Sequence, residues 1–132
     1  MAVPLNATVT ITNGAKIRIS AMEKVLGEAR LPGEVAGPSL RFQVTIDNPT
    51  NAAISTSNML VNVESGSENK PAVQLSGPGV VDFTGPVAPR SSATAVFVFN
   101  IAPVERNRIR ILFDYGVTDP IAVFEGSADK AG

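Results

Sequence analysis

Apolar and polar residues alternate with a period of two through much of this chain. Between residues 39 and 48, Leu40, Phe42, Val44 and Ile46 fall on one side, and Arg41, Gln43, Thr45 and Asp47 on the other. Side chains of a strand point to its two faces in turn. This stretch therefore predicts an antiparallel strand with one face on a core and one in water. Asn48-Pro49-Thr50-Asn51 ends it with turn chemistry. A second such strand covers residues 107 to 115, with Ile109, Ile111, Phe113 and Tyr115 inward and Arg108, Arg110 and Asp114 outward; Leu112 interrupts the polar side. Residues 94 to 101 are apolar on both sides, with Ala95, Phe97 and Phe99 opposed by Val96 and Val98. That pattern predicts a central strand, or one whose outer face another segment covers. Fainter alternation predicts strands over 16–21, 54–64 (broken), 72–75, 80–83 and 121–124.

Turn residues separate these strands throughout: Gly27, Pro32-Gly33, Gly37-Pro38, Gly66, Gly77-Pro78-Gly79, Gly85-Pro86 and Pro89. Many short strands with frequent turns predict an all-β, immunoglobulin-like antiparallel sandwich of about seven to nine strands. Only residues 21–30 read as helix-like, and Gly27 and Pro32-Gly33 cut them short. The first hairpin has a predicted register. A two-residue turn at Asn13-Gly14 sets Val9 against Arg18 and Ile11 against Lys16, mixing faces. A three-residue loop of Thr12-Asn13-Gly14 sets Val9 against Ile17 and Ala7 against Ile19, with Gly14 in the left-handed conformation that closes such loops. At 132 residues the chain is sized for one domain over 1–132, and residues 127–132 read as a loose tail.

Composition narrows the chemistry. The sequence has no cysteine, which removes disulfides, thiol catalysis and zinc thiolate sites, and no histidine, the commonest general base and transition-metal ligand. Its net charge of −1 gives no field to attract nucleic acid or an anionic membrane. No apolar run is long enough to predict a membrane span. Asp47, Asp82, Asp114, Asp119, Glu28 and Glu34 are scattered without the spacing of a calcium loop. Serines lack a Gly-x-Ser-x-Gly elbow, and a Ser–Lys pair with Lys16, Lys24 or Lys70 has no motif around it. Gly77-Pro78-Gly79 lacks the Lys-Ser/Thr partner of a phosphate loop and reads as a turn. The expectation is no enzyme, no catalytic residue, no metal and no cofactor.

From about Ala15 to Gly126 the chain resembles a family of extracytoplasmic immunoglobulin-like domains from actinobacterial lipoproteins and secreted proteins, related in fold to the secreted immunogenic proteins of mycobacteria. Three stretches carry the resemblance. Pro32-Gly33-Glu34-Val35-Ala36-Gly37-Pro38 leads into Leu40-Arg41-Phe42-Gln43-Val44, with Asn48 closing the strand. Val87-Ala88-Pro89-Arg90-Ser91-Ser92-Ala93 precedes Val96-Phe97-Val98-Phe99. Pro120-Ile121-Ala122-Val123-Phe124-Glu125-Gly126 closes the domain. The family usually has glycine where Arg90 stands. Met1-Ala2-Val3-Pro4-Leu5 is no signal peptide, which leaves a cytosolic protein or a mature fragment; the resemblance implies a sandwich exported behind a signal peptide or lipid anchor, so a fragment of a larger anchored protein is expected. It supplies no activity and no functional residues to carry over.

One polar feature points toward a partner. Lys16 and Arg18 share an outward side, as do Arg106, Arg108 and Arg110, and Arg41 is outward on its own strand. If these strands share a sheet, Lys16, Arg18, Arg41, Arg108 and Arg110 form a basic stripe suited to an acidic polymer. The plainer alternative is solvated strand faces, split between sheets or neutralised by Asp47, Glu64 and Asp114. Asn6-Ala7-Thr8 fits a glycosylation sequon, a motif frequent by chance. The expected function is a non-catalytic interaction or structural module, extracellular or at the cell surface, with a protein or cell-wall partner and no nucleic acid. The alternative is a small-ligand carrier with a pocket at one end of the sandwich.

Overall fold

The alternation at residues 39–48 forms the strand it predicts, with Leu40, Phe42, Val44 and Ile46 all buried. The structure is a computed structural model that describes residues 2–11, 13–116 and 121–128. It contains ten strands: β1 (Ala2–Pro4), β2 (Thr8–Thr10), β3 (Lys16–Gly27), β4 (Gly37–Asn48), β5 (Leu60–Ser65), β6 (Lys70–Pro71), β7 (Val73–Leu75), β8 (Ser91–Asn100), β9 (Ile109–Asp114) and β10 (Ala122–Gly126). One sheet has the order β2-β3-β4-β8-β7 and the other β1-β10-β9-β5-β6. Setting β1 and β2 aside, β3-β4-β8-β7 and β10-β9-β5-β6 reproduce the ABED and GFC arrangement of an immunoglobulin-like sandwich, with β6 as an added edge. The N-terminal segment exceeds the expected strand count because it serves both sheets. It pairs parallel with β10 as β1, turns at Ala7, and pairs antiparallel with β3 as β2.

The core lies between the sheets. Ile17, Ile19, Leu40, Phe42, Val44, Ile46, Ala95, Phe97 and Phe99 from one face Val61, Val63, Ile109, Ile111, Phe113 and Phe124 from the other. Phe42 stacks on Phe99 with ring centroids 5.9 Å apart, a contact that adds to the burial of both rings. The apolar outer residue Val98 is buried beside Leu75, as a covered central strand requires. Its cover comes from an excursion of the edge strand. β7 pairs with β8 as far as Leu75↔Val98, residues 76–80 then loop out, and pairing resumes at the single bridge Val81↔Val96. That bridge is all that forms of the strand predicted over 80–83. Gly77 O in the loop accepts from Glu28 N at 2.9 Å, and Pro78 O accepts from Arg41 at 3.2 Å.

The first hairpin has the predicted register: Val9 pairs with Ile17, and Ile11 N donates to Ala15 O at 2.9 Å. Gly14 takes φ 92°, as the three-residue loop requires; Thr12 lies outside the described residues. The helix-like reading of residues 21–30 is overturned. β3 continues through them to Gly27, with a register shift between Ser20 and Glu23 and Ala21 at φ 53°. A short isolated helix is marginal in water, whereas five ladder partners on β4, from Arg41 to Gly37, hold this segment extended. Ala128, expected in a loose tail, is buried, and its N–H donates to Arg106 O at 2.7 Å; residues 129–132 lie outside the described residues.

Asn48 ends β4 almost wholly buried, 2% exposed. Its amide donates to Ala52 O, Val87 O and Ala88 O at 2.8, 3.1 and 3.2 Å, and its Oδ1 accepts from Thr50 N at 3.0 Å and Thr50 Oγ1 at 2.7 Å. One side chain thus ties the connection leaving β4 to the segment entering β8. Arg90, in that segment, has φ 58°, the left-handed conformation in which a glycine is unstrained.

Candidate functional site

The basic stripe does not form. Lys16, Arg18 and Arg41 lie on β3 and β4, while Arg110 lies on β9 and Arg108 just before it, in the opposite sheet. The outer faces of two packed sheets point in opposite directions, so alternation along each strand could not join the two groups. Carboxylates also neutralise most of them. Arg18 meets Asp47 at 3.3 Å and Arg41 meets Glu23 at 2.6 Å. Arg110 meets Glu64 at 2.8 Å, and Glu125 lies 3.4 Å from Arg108 and 3.2 Å from Arg110. Glu23 and Glu125 act here where Asp114 was expected. The hydroxyl of Ser92, with Arg18 and Lys16 adding to it, holds the Asp47 carboxyl below its ordinary range. Arg106, read as outward with Arg108 and Arg110, is only 5% exposed. It follows a 3-10 turn at Pro103–Glu105 rather than continuing a strand, so the period of two does not reach it. Its guanidinium donates to Ile101 O at 3.1 Å and Ser39 O at 3.3 Å, and burial lowers its pKa.

Among the described residues no three acidic side chains converge as metal ligands would; Asp119 lies outside them. Gly77-Pro78-Gly79 belongs to the loop that covers the outer face beside Val98, a structural task.

The more distinctive surface is the β3–β4 connection, residues 28–36. Its base is polar and tied down by hydrogen bonds. Glu34 Oε1 accepts from Arg30 N at 2.9 Å and from Ser76 N at 3.1 Å, and Oε2 accepts from the Ser76 hydroxyl at 2.5 Å. These donors, the Ser76 hydroxyl foremost, hold the Glu34 carboxyl below the ordinary glutamate range. Arg30 pairs with Glu28, Glu28 N bonds Gly77 O, and the Asn100 amide donates to Val35 O at 2.6 Å. Glu34 N closes the turn onto Leu31 O at 3.2 Å, and Gly33 supplies its positive φ of 88°. The tip is apolar: Leu31 is 63% and Val35 61% exposed, and Leu26 at the end of β3 is 73% exposed. A loop tied to the scaffold at its base, with apolar side chains facing water, is preorganised for contact. From sequence, this segment showed only its turn residues and the family resemblance.

Comparison with models of protein families, with curated protein sequences and with solved structures finds no match to the chain.

Proposed function

We propose that this chain is a non-catalytic interaction module of the cell exterior, part of a larger anchored protein, and that it meets its partner through the apolar tip of residues 28–36. The observation that carries the reading is the pairing of a pinned base with an exposed tip. Glu34 holds the loop against Ser76 while Leu31 and Val35 stay uncovered. A loop already fixed in one shape loses little conformational entropy when it docks, so its apolar area converts more fully into affinity. The sequence supports a non-catalytic role, since it lacks both histidine and cysteine. The placement outside the cell rests on the resemblance to exported domains. The test is retention of partners from a cell-surface extract on the immobilised domain, compared with a Leu31→Asp, Val35→Asp variant. Both positions are solvent-exposed, so the variant should keep the wild-type melting temperature while losing the specifically retained protein or wall polymer. Identical retention by both forms overturns the assignment of the loop.

A further inference from the structure

The sandwich carries a second surface, independent of the loop: the upper edge of β5. β6 is two residues long and pairs only with Glu64 and Ser65. Hydrogen bonds fix which way the β5 backbone points. Gly66 N donates to Arg108 O at 2.9 Å, so even-numbered residues of β5 face β9. Ala72 N donates to Val63 O at 2.8 Å, so odd-numbered residues face the opposite edge. Above that bond nothing continues the ladder, so the N–H and C=O of Val61 face this edge with no strand paired to them there among the described residues. The other edges differ. β1 and β2 are three residues each, and β7 is interrupted by the loop at residues 76–80. The open edge of β5 borders a groove of about 350 Å³ between the sheets, with Met59, Val61, Phe83 and Phe97 among its apolar walls. Asp82 stands at this groove, and Asp114, opposite Leu60 in the ladder, lines the neighbouring hollow; neither lining includes a basic residue.

We propose that this edge accepts an extended peptide of a partner protein as an added strand, with an apolar side chain set into the groove and a lysine or arginine near Asp82 and Asp114. Unpaired backbone groups at an edge are the template for strand addition, and pockets for alternate side chains set its specificity. The acidic border selects the charge of the incoming strand.

The test uses the intact domain and an array of short synthetic peptides that alternate valine, isoleucine or phenylalanine with threonine, flanked by either lysine or glutamate. Lysine-flanked peptides should bind, and the bound peptide should shift the amide resonances of Val61 and Val63. N-methylation of the peptide amide that faces Val61 should weaken binding at least about tenfold, while methylation one residue along, facing solvent, should leave it intact. Asp82→Lys, at an exposed site, should weaken lysine-flanked peptides about two- to fivefold and favour glutamate-flanked ones. Leu31→Asp with Val35→Asp should leave peptide binding unchanged, so the two proposals fail separately. Absence of binding across the array overturns the inference, as does binding indifferent to N-methylation. A concentration-dependent shift of Val61 without peptide also overturns it, because a second copy of the chain then occupies the edge.

Discussion

Replacing Asn48 tests how much one buried amide contributes to holding the two long connections together. Asn48→Ala removes the donors to Ala52 O, Val87 O and Ala88 O and the acceptor for Thr50. Val87 O keeps its bond from Ile54 N, and Ala52 and Ala88 are exposed enough to recruit water. The two bonds from Thr50 are therefore lost without replacement, at about 1 kcal/mol each, and the vacated volume adds to this, so about 2–3 kcal/mol is expected. Asn48→Asp discriminates further. It keeps the shape but points a carboxylate oxygen at three carbonyl oxygens, and a buried, uncompensated charge costs about 3–5 kcal/mol. At neutral pH the aspartate variant should be no more stable than the alanine variant. Its folded-state pKa is raised above the unfolded value, because only the protonated form can donate to a carbonyl. Relative to wild type, stability should therefore return as pH falls through that raised pKa, and the recovery is complete below the unfolded value. Denaturant melts of the three proteins at neutral and mildly acidic pH measure this directly. An aspartate variant as stable as wild type at neutral pH, or an alanine variant costing under about 1 kcal/mol, refutes the role given to Asn48.

Three further outcomes are expected. Phe42→Ala should cost about 3–5 kcal/mol in a denaturant melt, because the ring is buried and stacked on Phe99. Arg41→Ala, which from sequence alone should cost little, should instead cost about 1 kcal/mol through loss of Glu23 and Pro78 O; equal costs for the two contradict the assignment of faces. Arg90→Gly should lie within about 0.5 kcal/mol of wild type, since relief of the left-handed backbone offsets the lost bonds to Asn51 and the greater freedom of the unfolded chain. Arg90→Val should cost about 1–2 kcal/mol, and a valine variant as stable as the glycine one contradicts the backbone argument. The Glu34 carboxyl should titrate below the ordinary glutamate value by NMR. Its hold on residues 28–36 is then complete above the unfolded pKa and lost as pH falls through the lowered folded one. A midpoint at or above the ordinary value removes the basis for a pinned loop.

What could be read before the structure was whatever depends on neighbours along the chain. Leu40, Phe42, Val44 and Ile46 announced their face by alternation, and Val9 with Ile17 announced a register because only one loop length matches apolar with apolar. Residues 21–27 misled because Met22, Glu23, Lys24 and Leu26 have helical propensity, while the extended partner on β4 that overrides it is reached only through the hairpin. The basic residues misled for a related reason. Alternation gives the side of a strand on which Arg41 or Arg110 stands, but not the sheet to which the strand belongs. β1 escaped notice because its partner, β10, lies at the far end of the sequence. The open edge at Val61 depends on how early β6 stops, which no pattern within β5 encodes.

The parallel pairing of β1 with β10 has a mechanical consequence. Ala2 lies opposite Val123 and Pro4 opposite Glu125, so the chain enters β1 at one end of this ladder and leaves β10 at the other. Tension applied through the residues flanking these two strands pulls them along their length in opposite directions. The hydrogen bonds between them are then loaded together in shear, rather than peeled one after another as they would be across an antiparallel hairpin. Leu5 packs against Gly126 just beyond the ladder and must slide with it. A domain closed in this way meets a stretching force first at its two ends, where the bonds resist as a group, and its core is reached only after they part.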